Sequence, residues 1–145
     1  MSTQPSPSDF SALTRDKLRY RDTDRQGHVN NAVFSTFFET GRVEMLYDFD
    51  QPLTPAGTAF VVARLAIDYV AEVVWPGEVE IGTSVRSIGR SSIRLDQALF
   101  QNGKLAAKAE TVIVLMDEST RRSTALPETA LERLRPYVME KDASA

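Results

Sequence analysis

The run Asp22-Thr23-Asp24-Arg25-Gln26-Gly27-His28-Val29-Asn30-Asn31 gathers two carboxylates, the only histidine of the chain, two asparagines and a glycine into one short stretch. A carboxylate can attack a carbonyl carbon directly, or take a proton from a water molecule that does so. An apolar-periodic segment follows immediately, so a helix is expected to begin at the end of this run. The first four backbone N–H groups of a helix lack internal partners and sit at the positive end of its dipole. Amides from His28 to Asn31 can therefore meet an oxygen that becomes negative during reaction. Asp24 beside such donors suits acyl transfer. A thioester fits so sparse a site, because a thiol of reference pKa about 8.5 leaves without a strong general acid.

Each of these residues also has a plainer role open to it. Asp22 and Asn30 are good helix or turn caps, worth roughly 1 kcal/mol each. Two close carboxylates repel, so a second acid two positions after Asp22 calls for a use, and Asp24 is the one assigned the chemistry. His28 can shuttle a proton near neutral pH, or simply bond to backbone and steady the loop. Glu39 and Arg42 stand at the i,i+3 spacing of a helical ion pair.

The elements that must position this run are legible from periodicity. Lys17 to Arg21 alternates polar and apolar residues and is read as a first strand, and Asp22 to Gly27 as a loop in which the glycine permits the turn. Phe34, Phe37, Phe38, Gly41 and Met45 mark one face of a long amphipathic helix. Period-two alternation then runs through Val61–Tyr69, Val79–Val85, Ile93–Leu99 and Lys104–Met116, with turns at Trp75-Pro76-Gly77, Gly89-Arg90 and Asn102-Gly103. Arg121–Thr124 is read as a short sixth strand, and Pro127 opens a terminal helix. Strand, long helix, several antiparallel strands and a last helix make an α+β pattern. Residues 1–14 are expected to be a flexible polar tail, 15–140 one domain, and 141–145 a polar C-terminal tail.

Composition removes other chemistries. The 145 residues, 42% hydrophobic and 26% charged, suit one soluble globular domain. With no cysteine and one histidine there are no disulfides, thiolates or multi-histidine metal sites, and no metal is expected. A net charge of −3 provides no basic field for nucleic acid. No apolar run approaches the roughly 20 residues of a membrane span and no secretory signal is seen, so a cytoplasmic location is expected.

Together with Ala32, Phe37-Phe38-Glu39 and Arg42, the Asp22–Asn31 run resembles the signature of 4-hydroxybenzoyl-CoA thioesterase-like hotdog proteins. The likeness continues through Ile67-Asp68-Tyr69, Pro76-Gly77, Gly89-Arg90-Ser91-Ser92 and Pro127. It implies a hotdog fold, an antiparallel sheet wrapped around a long central helix, assembled as a homodimer or homotetramer with active sites at the interface. It implies hydrolysis of an acyl-CoA substrate, with coenzyme A entering as part of the substrate and no other cofactor. Asp24 takes the place of the family's catalytic residue, and Gly27, His28 and Asn31 supply the turn and the helix start. Some relatives carry histidine where this chain has Asn31 and tyrosine where it has Phe34. The segment Gly89-Arg90-Ser91-Ser92 falls where coenzyme A binds in the family, and Arg86 is a further cation for its phosphates. Two rivals share the fold: hydration of an enoyl thioester by a His28–Asp24 pair, and binding of acyl-CoA without turnover.

Overall fold

The computed structural model describes residues 4–47 and 51–139. Residues 140–145, with the whole of the expected C-terminal tail, lie outside the described residues, as do residues 1–3. The chain forms β1 (Ala12–Lys17), α1 (Asn31–Leu46), β2 (Thr58–Tyr69), β3 (Glu78–Ile88), β4 (Ser92–Gln101), β5 (Lys104–Asp117) and α2 (Glu128–Leu134). All strand pairs are antiparallel, in the order β1-β3-β4-β5-β2. Asn102 and Gly103 both take positive φ, 53° and 78°, as a tight two-residue hairpin between β4 and β5 demands.

The helix-facing side of the sheet alternates as the sequence does. Phe34, Phe37 and Phe38 are at most 2% exposed and pack with Val79, Ile81, Leu99, Ala107 and Ala109. Burying a side chain of this size contributes about 1.5–3 kcal/mol, so α1 is held to the sheet mainly by these three rings. Gly41 lets the helix come close: a Cβ there would lie 2.6 Å from Ile81 Cγ2. Gln97, buried in β4, fastens the two layers by donating from Nε2 to the Phe38 carbonyl at 2.9 Å and to Thr83 Oγ1 at 3.0 Å. A second core joins α2, through Ala130 and Leu134, to Val85, Ile93, Leu95, Ile113 and Leu115.

Three expectations are corrected. The first strand lies at Ala12–Lys17, ahead of the alternating Lys17–Arg21 stretch. Tyr20–Asp22 instead turn as a 3₁₀ helix because the Asp22 carboxylate accepts the Arg19 N–H, a local bond that displaces strand pairing. The N-terminal segment is accordingly not all tail: Ala12 pairs with Thr83, the Ser11 N–H donates to Ser84 Oγ at 2.9 Å, and Phe10 meets Phe100 edge-on at 6.0 Å. Arg121–Thr124 makes only one isolated bridge, Ser123 to Met116, and no sixth strand.

The two edges of the sheet are β1 and β2. Strand β2 carries an irregularity between Val62 and Arg64, and Val61 and Val62 are 38% and 50% exposed. An apolar edge of this length is a surface that a further strand can extend.

Candidate active site

The loop before α1 is built by its own aspartates. Asp22 is 6% exposed; its Oδ2 accepts the Arg19 N–H at 2.9 Å, and its carbonyl accepts the Asn30 N–H at 2.9 Å. Asp22 thereby closes the base of the loop. Thr23 and Val29 bridge across it, and Gly27, at φ +79°, makes the reversal that a side chain would strain. The loop's outer edge is stitched to residues 73–75 through Val29 N–H to the Val73 carbonyl at 2.8 Å and a His28–Val74 bridge.

Asp24 stands exposed at the tip. Its Oδ1 accepts N–H bonds from Gln26 at 2.8 Å and His28 at 3.2 Å, while its own N–H donates to the His28 carbonyl at 2.8 Å. One oxygen is therefore pinned. The other, Oδ2, has no hydrogen-bond partner among the described residues.

The amides expected to face an oxyanion are mostly spoken for. His28, Val29 and Asn30 donate to Asp24 Oδ1, the Val73 carbonyl and the Asp22 carbonyl. Asn30 is the cap of α1, its Oδ1 accepting the Ala32 N–H at 2.9 Å. Asn31, the first residue of the helix, is left with an N–H that has no acceptor among the described residues. The donor set narrows from a stretch of backbone to this one amide.

Asp24 and Asn31 line one cleft of about 390 Å³. Its other polar members are Gln26, His28 and Glu72; Phe34, Tyr69 and Val70 are on its apolar side. The Tyr69 ring lies 5.2 Å from that of Phe34, and its hydroxyl donates to the Asn31 carbonyl at 3.2 Å. His28 Nε2 is 3.3 Å from Glu72 Oε2, a carboxylate rather than the backbone partner considered above. Tyr69 and Glu72 come from the end of β2 and the turn after it. Glu72 was missed by sequence reasoning, for no periodicity ties it to residue 28; the only signal was Tyr69, inside the weaker Ile67-Asp68-Tyr69 likeness.

The expected phosphate-binding residues lie elsewhere. Arg90, Ser91 and Ser92 form the β3–β4 turn, held by the Gly89 N–H on the Ser92 carbonyl and by Leu126 and Leu115 N–H groups on the Arg90 and Ser91 carbonyls. Ser92 is level with Val114 of β5, whereas Tyr69 is level with Ala107. Those seven steps along β5 separate the turn from the Asp24 cleft by roughly 23 Å at about 3.3 Å per residue. Within one chain the two are not brought together. Arg86 is engaged in another way: Nε is 2.8 Å from Asp96 Oδ2 and Nη1 is 3.2 Å from Glu110 Oε1, on the sheet face turned away from α1. Two carboxylates hold it there, partners that the sequence pattern did not show.

Arg42 departs from expectation as well. It is 6% exposed with Nη1 unpartnered among the described residues, and does not close the ion pair with Glu39. Burial lowers its pKa from the ordinary arginine value, opposed by the more distant Glu39 charge. Among the described residues no group of three or more His, Asp or Glu side chains is placed to hold a metal ion.

The fold is that of a known group of proteins. The sequence pattern of the thioesterase-like superfamily matches residues 18–134. The chain belongs to that superfamily. Among its relatives, the acyl-CoA thioester hydrolase YbgC of Escherichia coli is 30% identical over 117 residues, 78% of this chain and 87% of the relative. A thioesterase from Thermus thermophilus, solved with coenzyme A and zinc, superposes with a TM-score of 0.76 at 36% identity, covering 88% of this chain and 93% of that one. The PA5185 protein of Pseudomonas aeruginosa superposes with a TM-score of 0.83 at 26% identity, over 95% of this chain and 99% of that one. The superfamily match spans both the Asp24 loop and the Arg90 turn. No helix among the described residues is long and apolar enough to cross a membrane.

Proposed function

We propose that this member of the thioesterase-like superfamily is an acyl-CoA thioesterase, hydrolysing an acyl-CoA to the free acid and coenzyme A, with Asp24 as its catalytic carboxylate. One observation carries the assignment of residues: Asp24 has one oxygen fixed by two N–H groups and the other unengaged, in the same cleft as the unpaired N–H of Asn31. The thioester carbonyl oxygen takes the Asn31 N–H at the positive end of the sixteen-residue α1. Asp24 Oδ2 then attacks the carbonyl carbon, or removes a proton from a water that does. The C–S bond breaks and the sulfur departs as thiolate, protonated afterwards from solvent; on the direct route water then cleaves the acyl-aspartate anhydride, releasing the acid and restoring the Asp24 carboxylate. Gly27 and His28 hold the loop that aims Asp24.

The assembly belongs to the same proposal. In a homodimer with β2 paired antiparallel to its own copy about a two-fold axis, the Arg90 end of one sheet lies beside the Asp24 end of the other. Arg90, Ser91 and Ser92 of the second copy then take the phosphates that this chain's own turn is too distant to reach. The exposed Val61 and Val62 and the edge position of β2 support that pairing. The sheet of each subunit curls around α1 in the hotdog manner, dimers associate further into a tetramer where that occurs, and the enzyme works in the cytoplasm without a cofactor of its own.

Thiol release from a panel of acyl-CoAs, aliphatic and aromatic, tests the function. Asp24→Asn, nearly isosteric, is expected to lower kcat by about 10²–10⁴-fold with the fold intact by circular dichroism. Undiminished thiol release would remove Asp24 from the mechanism. Loss of enoyl absorbance from crotonyl-CoA without thiol release would favour hydration instead, and saturable binding without any turnover would favour a binder.

A further inference from the structure

Glu72 is a charged group beside the reaction site to which the function above gives no task. Its Oε2 lies 3.3 Å from His28 Nε2, and both residues line the cleft that holds Asp24. The backbone of His28 is already fully committed. Its N–H donates to Asp24 Oδ1, its carbonyl accepts the Asp24 N–H, and it bridges to Val74. Only the ring retains freedom, and Glu72 is what faces the ring. The remaining titratable group of the cleft, Tyr69, has its hydroxyl on the Asn31 carbonyl and does not compete.

We propose that Glu72 is a positioning residue that acts through His28, holding the imidazole with its proton on Nε2 so that Nδ1 faces the reaction as an acceptor. The inference rests on the thioesterase reading. A carboxylate beside one ring nitrogen favours the proton on that nitrogen and leaves the lone pair on the other. Whether Asp24 activates a water or is itself acylated and then hydrolysed, one water must be held near the acyl carbon. Nδ1 accepts a hydrogen bond from that water while Asp24 stays on its two N–H donors.

Stability is a poor explanation for the pair. The side chains are 30% and 68% exposed, and a polar contact so open to water adds little to stability. Removing Glu72 should therefore leave the fold and Asp24's own donors in place, which makes the residue clean to test.

The test joins kinetics to a spectroscopic readout. Glu72→Ala is expected to lower kcat for thiol release on the order of ten- to a hundredfold with KM within about twofold, and Glu72→Asp to recover part of the loss. In a His28→Ala background the same Glu72→Ala change should have no further effect, because its only route is through the ring. An equal loss in both backgrounds, or none in either, overturns the proposal. Nitrogen NMR decides independently of activity, since the single histidine gives one pair of ring resonances. With the ring neutral, those two shifts should lie far apart in the wild type and converge in Glu72→Ala; unchanged shifts would overturn the inference even in an active enzyme. Failure of the thioesterase reading looks different, namely no thiol release from the wild type with the NMR response intact.

Discussion

Two of the clefts on this molecule are of nearly equal size, about 390 Å³ at the Asp24 loop and about 380 Å³ on the sheet face turned away from α1. Both are rich in charge. On the far face Arg86 links Asp96 and Glu110, and Arg64 approaches Glu110 at 3.8 Å, so the strongest charges satisfy one another. At the loop, one carboxylate oxygen and one helix-start N–H are left unengaged while the His28, Val29 and Asn30 amides before that N–H are occupied. Charge density alone does not mark a site. A reactive site is marked by groups held in place yet not neutralised, and the cost of holding them falls on residues that do no chemistry.

Asp22 should give the largest effect of the variants that probe this contrast. It is buried, and its carboxylate and carbonyl tie Arg19 to Asn30 across the base of the loop. Asp22→Ala removes the acceptor of the Arg19 N–H, a loss of about 1 kcal/mol for a part-buried hydrogen bond, and also frees the loop that aims Asp24. A lower Tm together with a fall in kcat is expected, whereas Asp24→Asn should lose activity with Tm nearly unchanged. If Asp22→Ala altered neither, the division of the two aspartates into support and reagent would collapse.

The Arg90 turn comes next. Arg90 is exposed and forms no ion pair among the described residues, in contrast to Arg86. Arg90→Ala is expected to raise KM for acyl-CoA several-fold, about 1 kcal/mol, with kcat held, and the rise should shrink as salt is added. Equal KM values in the two proteins would place the coenzyme A phosphates elsewhere.

How far the sequence foretold these places depends on the range of the interactions that set them. Asp24, Asn30 and the Asn102-Gly103 hairpin were legible because their partners lie within a few residues. The strands from Glu78 to Asp117 were legible because one face of each is buried against α1 or α2, which keeps that face apolar even where residues 81–85 and 97–100 are buried on both sides. The Lys17–Arg21 alternation misled because Leu18 is buried while Tyr20 is 74% exposed, two apolar residues of one pattern with opposite fates. Glu72 was silent, since only the pairing of the loop with residues 73–75 brings it to His28. The carboxylate partners of Arg86 were silent for a related reason: it falls in the ladder irregularity between Val85 and Ser87, and such a bulge re-aims a side chain in a way no local pattern announces.

That re-aimed arginine supplies the smallest effect and the sharpest control. Asp96 and Glu110 sit directly opposite each other on β4 and β5, so without Arg86 two like charges would face across the ladder. Arg86→Met keeps most of the aliphatic stem and removes only the bridging charge. Because the arginine and its partners are 32–43% exposed, the loss should be about 1 kcal/mol or less in stability, and it should diminish in high salt as the two carboxylates are screened. Thiol release should match the wild type in both kcat and KM, since the cluster lies across the sheet from α1 and Asp24. A several-fold rise in KM would instead mean that the far face takes part in coenzyme A binding, and that its satisfied charges open to admit a phosphate.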